Sequence, residues 1–166
     1  KLGGPGTVTN LDTTPPVAFG HGLSYTSFEH SGLEVASEVP TDGVITARVR
    51  VTNTGERAGT DVVQLYAHDV LASVTRPVSQ LVAFGRVELE PGASVEVTFE
   101  VPTTRLAFSN RELERVVEPG EVQLWVGPDC FAKETTASTQ LVGEVHLVTG
   151  EDARRSRVSV AEAVRA

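Results

Sequence analysis

The sequence ASVEVTFEV, residues 93–101, alternates apolar and polar side chains without interruption. The sequence VITARVRVT, residues 44–52, repeats this pattern. Successive side chains of a β-strand point to opposite faces, so each stretch has one dry face and one wet face. A helix through either stretch would scatter the apolar residues around its circumference. Both stretches are therefore predicted to be strands, with Phe99 facing the core.

Five weaker stretches complete the strand prediction. They are residues 28–36, 61–68, 80–89, 121–127 and 140–149, and turn sequences such as Pro91-Gly92 and Pro119-Gly120 bound several of them. About seven strands with short loops and one-sided polarity predict an all-β fold. We expect two antiparallel sheets packed as a sandwich of the fibronectin type III/immunoglobulin-like class. The immunoglobulin Cys…Trp…Cys spacing is absent from the sequence, which favours a fibronectin-like variant without that disulfide.

Three zones follow along the chain. Residues 1–27 are rich in Gly, Pro and Thr without periodicity, which predicts an extended linker. Residues 28–149 are the predicted sandwich, in which 103–114 is the stretch that a helix could occupy. Residues 150–166 are predicted to be a polar C-terminal tail with a short terminal helix. The amino end has no secretory-signal pattern and no initiating Met, so we expect a chain cut from something longer, or processed.

Composition excludes several classes of function. The formal charge of −8 argues against nucleic acid or an anionic membrane as a partner, because both favour Lys and Arg. No apolar run approaches the roughly 20 residues that span a bilayer. The single cysteine, Cys130, cannot form an internal disulfide and says little about compartment. A soluble protein, cytoplasmic or secreted, fits all of these observations.

No residue pattern points to catalysis, a metal or a cofactor. The four histidines lie far apart, and none has a second ligand at a metal-binding spacing. Ser24 sits in a turn sequence that lacks the second glycine of a nucleophile elbow. A glycosidase needs two carboxylates in a pocket that shifts their pKa values apart. The acidic residues with a readable position are instead predicted on wet strand faces or beside turns: Glu88, Glu96, Glu100, Glu118 and Glu121.

Two features have alternative interpretations. If Val122, Leu124 and Val126 face the core, Trp125 faces outward, as a sugar-stacking platform or as part of a domain interface. A lone Trp without neighbouring aromatics favours the interface. The pair Arg76-Pro77 is either a contact to an acid across an interface or an exposed charge followed by a turn proline.

The run Phe19-Gly20-His21-Gly22-Leu23-Ser24-Tyr25-Thr26-Ser27-Phe28 closely resembles the FGHGLSYTxF signature of family 3 glycoside hydrolases. Further motifs of that family match in order. They are VTNTG at 51–55 with Gly59, VVQLY at 62–66, RPVSQL at 76–81 with Phe84, and the EPG turns at 90–92 and 118–120, followed by Val126-Gly127. The resemblance covers residues 15–149, and it departs from the family at Pro16-Val17-Ala18 and at Asp129-Cys130.

The resemblance implies a fibronectin III-like module that follows a (β/α)₈ barrel and an α/β domain, which hold the catalytic carboxylates. A barrel takes about 250 residues, so this chain cannot contain one. Its motifs imply contacts to those domains through Phe19, His21, Leu23, Tyr25, Arg76 and Pro77. The implied function is a non-catalytic module of an enzyme that hydrolyses terminal β-linked glucosyl or xylosyl residues. The alternatives are a stand-alone carbohydrate-binding or adhesion domain, and a complete small enzyme.

Overall fold

The computed structural model describes residues 16–165, so the linker prediction for residues 1–15 lies outside the described residues. The described part of the chain forms thirteen strands and one 3₁₀ turn at Thr103–Leu106. In chain order the strands are β1 (Phe28–Val35), β2 (Glu38–Pro40), β3 (Val44–Asn53), β4 (Gly59–Asp69), β5 (Gln80–Leu89), β6 (Ala93–Pro102), β7 (Phe108–Ser109), β8 (Arg115–Val117), β9 (Gly120–Val126), β10 (Thr135–Val142), β11 (His146–Leu147), β12 (Arg157–Val160) and β13 (Val164–Arg165).

Two five-stranded sheets build a sandwich. The first sheet has the order β1-β3-β6-β12, and β13 also pairs with β6. The second sheet has the order β2-β10-β9-β4-β5. Strands β7, β8 and β11 form a small third sheet. The all-β sandwich prediction is confirmed, with two additions: the third sheet, and the parallel pairing of β2 with β10.

The core lies between the two large sheets and follows the alternation in the sequence. In β6 the side chains of Val95, Val97, Phe99 and Val101 are buried, whereas Glu96 and Glu100 are exposed. Strand β3 shows the same alternation over its whole length. The predicted core orientation of Phe99 is confirmed, because none of its surface is exposed.

Six of the seven predicted strands correspond closely to β1, β3, β4, β5, β6 and β9. The seventh prediction, at 140–149, was placed too late: β10 begins at Thr135 and ends at Val142. Its first five residues are Thr135-Thr136-Ala137-Ser138-Thr139, which have too little apolar character to show the alternation. Gly143 then ends the strand, because its φ of +106° lies outside the extended conformation of a strand. This conformation favours glycine, since a side chain would strain the backbone there.

The predictions for 103–114 and for the tail are corrected. The first stretch contains the 3₁₀ turn and β7, and its end leads into β8. The tail forms β12 and β13 on the free edge of β6 where a terminal helix was predicted. Val158 in β12 lies over Gly85 of β5, where an added Cβ would come within 2.7 Å of Val158 Cγ1. The tail thus covers an edge that the sandwich would otherwise leave unpaired.

Within residues 16–165 we find no helix long and apolar enough to cross a membrane.

Candidate domain-contact site

The linker from Ala18 to Ser27 is anchored across the outer face of the second sheet. Gln64 Nε2 donates to Gly20 O at 2.9 Å and to Pro128 O at 3.1 Å. The amide of Cys130 donates to Phe19 O at 2.9 Å. Gly20 has a φ of +92°, and an added Cβ would lie 2.2 Å from Tyr66 Oη. Only glycine therefore fits at this point of the linker.

Gln64 and Tyr66 reach the linker because they alternate with the core residues of β4. Val63, Leu65 and Ala67 face the main core, so Gln64 and Tyr66 face the other side of the sheet. Tyr66 Oη donates to Gln64 Oε1 at 2.7 Å, which orients the amide toward the linker. Burial raises the pKa of Tyr66 to about 12, with smaller contributions from Cys130 and Asp129, so the phenol stays a neutral donor.

A second small apolar cluster lies on this outer face. Tyr66, Trp125 and Cys130 form it, and Ala18 and Leu81 pack against it. The rings of Tyr66 and Trp125 are stacked with centroids 5.7 Å apart. The linker and the β9–β10 loop therefore cover apolar surface that the main core does not use.

Trp125 points away from the main core, as predicted, but it is not on the surface. Only 1% of the residue is exposed, and the Lys133 ammonium lies 4.2 Å from the ring centroid. A sugar ring needs an open aromatic face, so the sugar-platform interpretation is wrong. Direct contact with another domain is wrong for the same reason, because Trp125 is covered by its own chain.

Asn53 anchors the carboxyl end of the linker. Its side chain is fully buried, and Nδ2 donates to Arg57 O at 2.8 Å and to Leu89 O at 2.9 Å. Its Oδ1 accepts from Thr26 Oγ1 at 2.8 Å and from the amide of Gly55 at 3.1 Å. One amide thus ties the β3–β4 turn, the end of β5 and the linker together, which gives the VTNTG motif a structural role.

The large apolar side chains of this anchored linker point into solvent. The exposed fractions are 66% for Phe19, 95% for Leu23 and 95% for Tyr25. His21 is also exposed, with Nδ1 3.9 Å from Asp129 Oδ2. All four residues of the linker that are predicted as domain contacts are therefore available to a neighbour. Their contact role stays a prediction.

Two further apolar residues extend this exposed surface and were missed in the sequence. Val62 is 43% exposed and lines the same cavity as Leu23, and Phe84 is 61% exposed and lies opposite Gln64 in the sheet. The alternation contained the signal, because both residues are apolar at positions that face away from the core. We call Phe19, Leu23, Tyr25 and Val62 the contact surface; Phe84 lies beside it and lines a separate cavity at the edge of β5.

The predicted contacts Arg76 and Pro77 differ from each other. The Arg76 guanidinium lies 4.6 Å from the Phe108 ring centroid, Nη2 donates to Leu106 O, and Nε is 3.6 Å from Asp69 Oδ2. Burial lowers the pKa of Arg76 and raises that of Asp69. The freely exposed charge is therefore the wrong alternative for Arg76. Pro77 is exposed, and its contact role stays a prediction.

A buried histidine joins the two sheets beside the linker. His30 in β1 is 5% exposed; Nε2 lies 2.8 Å from Asp61 Oδ2, and Nδ1 lies 2.6 Å from Glu134 Oε2. Both partners are carboxylates, which accept hydrogen bonds from both ring nitrogens when the imidazole is protonated. The sequence could not indicate this cluster, because its members lie 31 and 104 residues from His30. Among the described residues, no group of His, Cys, Asp or Glu side chains is arranged to hold a metal ion.

The His30 cluster makes stability depend on pH. Burial lowers the pKa of His30, but the hydrogen bonds and charges of Asp61 and Glu134 outweigh it and raise the pKa above its ordinary value of 6.5. A raised pKa stabilises the fold fully below pH 6.5, and this contribution is lost as the pH rises through the folded-state pKa. We expect the free energy of unfolding, measured by urea denaturation, to fall as the pH rises from 6.5 through the folded-state pKa. It should fall less in His30→Gln.

His68→Gln is the matched control. His68 is half-buried, and its Nδ1 faces a backbone carbonyl instead of a carboxylate, at 3.4 Å from Pro77 O. It should keep the wild-type pH dependence. Equal pH dependence in wild type and His30→Gln would contradict the assignment.

A cavity of about 260 Å³ lies between the linker and β4. Asp61, Gln64 and Glu134 line one side, and Gly20, Leu23 and Ser24 line the other. Both carboxylates in this wall are bound by His30. Their chemistry therefore suits a structural support for the linker better than a pair of groups acting on opposite sides of a sugar.

The fold and these motifs define the class of the domain. Residues 61–130 match the family model of the fibronectin type III-like domain. The motifs at 19–28, 51–55 and 62–66 are the residues that hold the linker on the sandwich.

Known proteins then specify which domain of this class it is. The chain is 42% identical over 116 residues to a periplasmic β-glucosidase of Salmonella typhimurium, covering 69% of this chain and 15% of that protein. It is 39% identical over 132 residues to a β-xylosidase of Formosa agariphila, covering 79% of this chain and 18% of that protein. The solved structure of a β-glucosidase from Listeria innocua in complex with glucose superposes with a TM-score of 0.76 at 32% identity. The match covers 84% of this chain and 19% of that protein. The chain belongs to the fibronectin type III-like domains of family 3 glycoside hydrolases, and it spans 15–19% of the length of these three proteins.

Proposed function

We propose that this chain is a non-catalytic structural module of a family 3 glycoside hydrolase that removes terminal β-linked glucosyl or xylosyl residues. In this proposal the module packs against the barrel and α/β domains of the enzyme, joined covalently or as a companion chain. The similarity to β-glucosidases and to a β-xylosidase supports the substrate class.

The observation that carries the proposal is the contact surface. Its linker backbone is fixed by hydrogen bonds from Gln64 and Cys130, yet Leu23 and Tyr25 are each 95% exposed. Grouped apolar side chains on an ordered segment mark an interaction site, because monomeric proteins rarely leave such patches in water. The position of this patch at the amino-terminal entrance of the domain fits a preceding domain as the neighbour.

The charged groups of the chain fit the same proposal. The exposed carboxylates Glu88, Glu96, Glu100 and Glu121 lie on wet faces or beside turns, as predicted, and Glu118 is half-buried and accepts from the amide of Ser73. Asp61 and Glu134 are both occupied by His30. None of these groups has the low-dielectric sugar pocket in which one carboxyl stays protonated and the other ionised.

We expect the isolated chain to be inactive on β-glucoside and β-xyloside substrates, and the protein isolated from its source to be active. Native mass spectrometry of that active sample should show the catalytic domains in the same polypeptide or in a companion chain. Hydrolysis by this chain alone would contradict the proposal. Binding of xylan or cellulose by an otherwise solitary, inactive chain would favour the stand-alone carbohydrate-binding domain.

The contact surface provides a matched pair of variants for the active sample. Leu23→Ser should lower the thermal midpoint of the whole enzyme, or weaken the companion complex, because the substitution removes the apolar side chain that packs against the neighbouring domain in this proposal. Leu113→Ser is the control, since Leu113 is 86% exposed in the β7–β8 turn and is not part of the contact surface. Equal effects of the two substitutions would mean that the contact surface is not an interface.

A further inference from the structure

The C-terminal segment brings three arginines together at the edge of the second sheet. Ser156 Oγ donates to Val82 O at 2.7 Å, and Thr104 Oγ1 donates to Ala153 O. These two bonds fix the segment just before β12. They place Arg154 and Arg155 beside Arg105 around a cavity of about 350 Å³. We call this cavity the arginine cleft.

The positive charge in the arginine cleft is not neutralised by the described part of the chain. No carboxylate oxygen among residues 16–165 forms an ion pair with Arg105, Arg154 or Arg155. A neighbouring cleft, which Arg154 and Arg155 also line, contains Glu100 and Arg157, and neither of these two residues lines the arginine cleft. Three unpaired guanidinium groups in a chain of net charge −8 form a local site for an anion.

Two of the three guanidinium groups are held in place by backbone carbonyls. Arg154 Nη2 donates to Thr149 O at 2.9 Å, and Arg105 Nη2 lies 3.4 Å from Leu81 O. The Nε of Arg105 is buried without a hydrogen-bond partner in the described residues. Guanidinium groups held by carbonyls keep their charge and their remaining donors, whose planar fork matches a carboxylate.

Apart from Ser156, the rest of the arginine cleft is apolar. Phe84, 61% exposed, and Val158, half-buried, line it together with Leu81. A ligand that fits has a carboxylate at one end and a compact body with C–H groups at the other. Sites for small molecules commonly combine an apolar wall with a few charged groups that fix orientation.

We propose that the arginine cleft binds a carboxylate-bearing sugar, a uronic acid unit. The choice of a sugar among carboxylate ligands rests on the proposed function in carbohydrate hydrolysis. The carboxylate binds Arg105 and Arg155, and the sugar ring lies against Phe84.

The test is an NMR titration of the chain with sodium glucuronate, with glucose as the neutral control at the same concentrations. Glucuronate should shift the amide signals of residues 82–85 and 154–158, and glucose should not. Arg155→Gln should weaken glucuronate binding at least tenfold, and Arg105→Gln should do the same. Arg111→Gln, at the exposed β7–β8 turn, should leave binding unchanged.

Four outcomes would overturn the proposal. They are no shifts with glucuronate, equal shifts with glucose, unchanged binding in Arg155→Gln, and binding of a glutamate-rich peptide at this cleft without binding of glucuronate. The last outcome would assign the cleft to a protein carboxylate. Thermal midpoints of the variants show that they remain folded, and no hydrolytic assay is involved, so failure here is distinct from failure of the proposed function.

Discussion

Replacing Phe99 with alanine is expected to lower the free energy of unfolding by about 3–5 kcal/mol. Phe99 is fully buried in β6, where it lies between Ala47 of β3 and Val158 of β12 in the first sheet. Truncation removes apolar burial and leaves a cavity that close-packed neighbours fill only in part. Urea denaturation monitored by circular dichroism measures this loss as a lower midpoint at an unchanged slope.

Phe131→Ala is the matched control for the cavity, because it makes the same chemical change at a residue that is 65% exposed. We expect it to change the free energy of unfolding by less than about 1 kcal/mol. A loss below about 1 kcal/mol in Phe99→Ala would mean that β6 does not present Phe99 to the core.

Replacing Asn53 with alanine is expected to lower the free energy of unfolding by about 2–4 kcal/mol. The substitution removes four hydrogen bonds and leaves the carbonyl of Leu89 without its buried donor. A buried polar group without a partner carries its full desolvation cost. Chemical denaturation measures this loss, and limited proteolysis should show faster cleavage between residues 16 and 27, because Thr26 is released.

Two comparisons separate the contributions of Asn53. Thr26→Val removes one bond to Asn53 Oδ1 and should cost about 1 kcal/mol. Asn53→Asp keeps the acceptor but places carboxylate oxygen near the carbonyls of Arg57 and Leu89, so it should be most destabilising when the carboxylate is ionised. If Asn53→Ala costs no more than Thr26→Val, the amide does not join the turn, β5 and the linker.

The strongly alternating parts of the fold could be predicted because the information is local. In both β3 and β6, apolar residues at every second position indicate the buried face of the strand. Phe99 lies on the buried face of β6. Strand β10 was placed too late because its threonines and serine carry no such pattern. It becomes a strand through pairing with β9 over seven residue pairs, which is a tertiary contribution.

The candidate site was predictable only in part for the same reason. The linker motif indicated Phe19, Leu23 and Tyr25, and the structure leaves these three side chains exposed. The alternation indicated that Val62 and Phe84 face outward, but their position beside the linker required the register of β4 with β5, which no local pattern specifies. The prediction that Trp125 lies on the surface was wrong, because its side chain points away from the main core but into a second, smaller apolar cluster.

The sequence by itself determined the all-β class, most strand positions and the family motifs, since these depend on neighbouring residues and on turn chemistry. Only the tertiary structure decided where the remaining polar groups go. It brought His30 to carboxylates 31 and 104 positions away, and it placed the arginines of the tail beside Arg105 at the edge of β5. Such clusters depend on which strands become neighbours, and strand order is set by packing of the whole chain, which outweighs local preference.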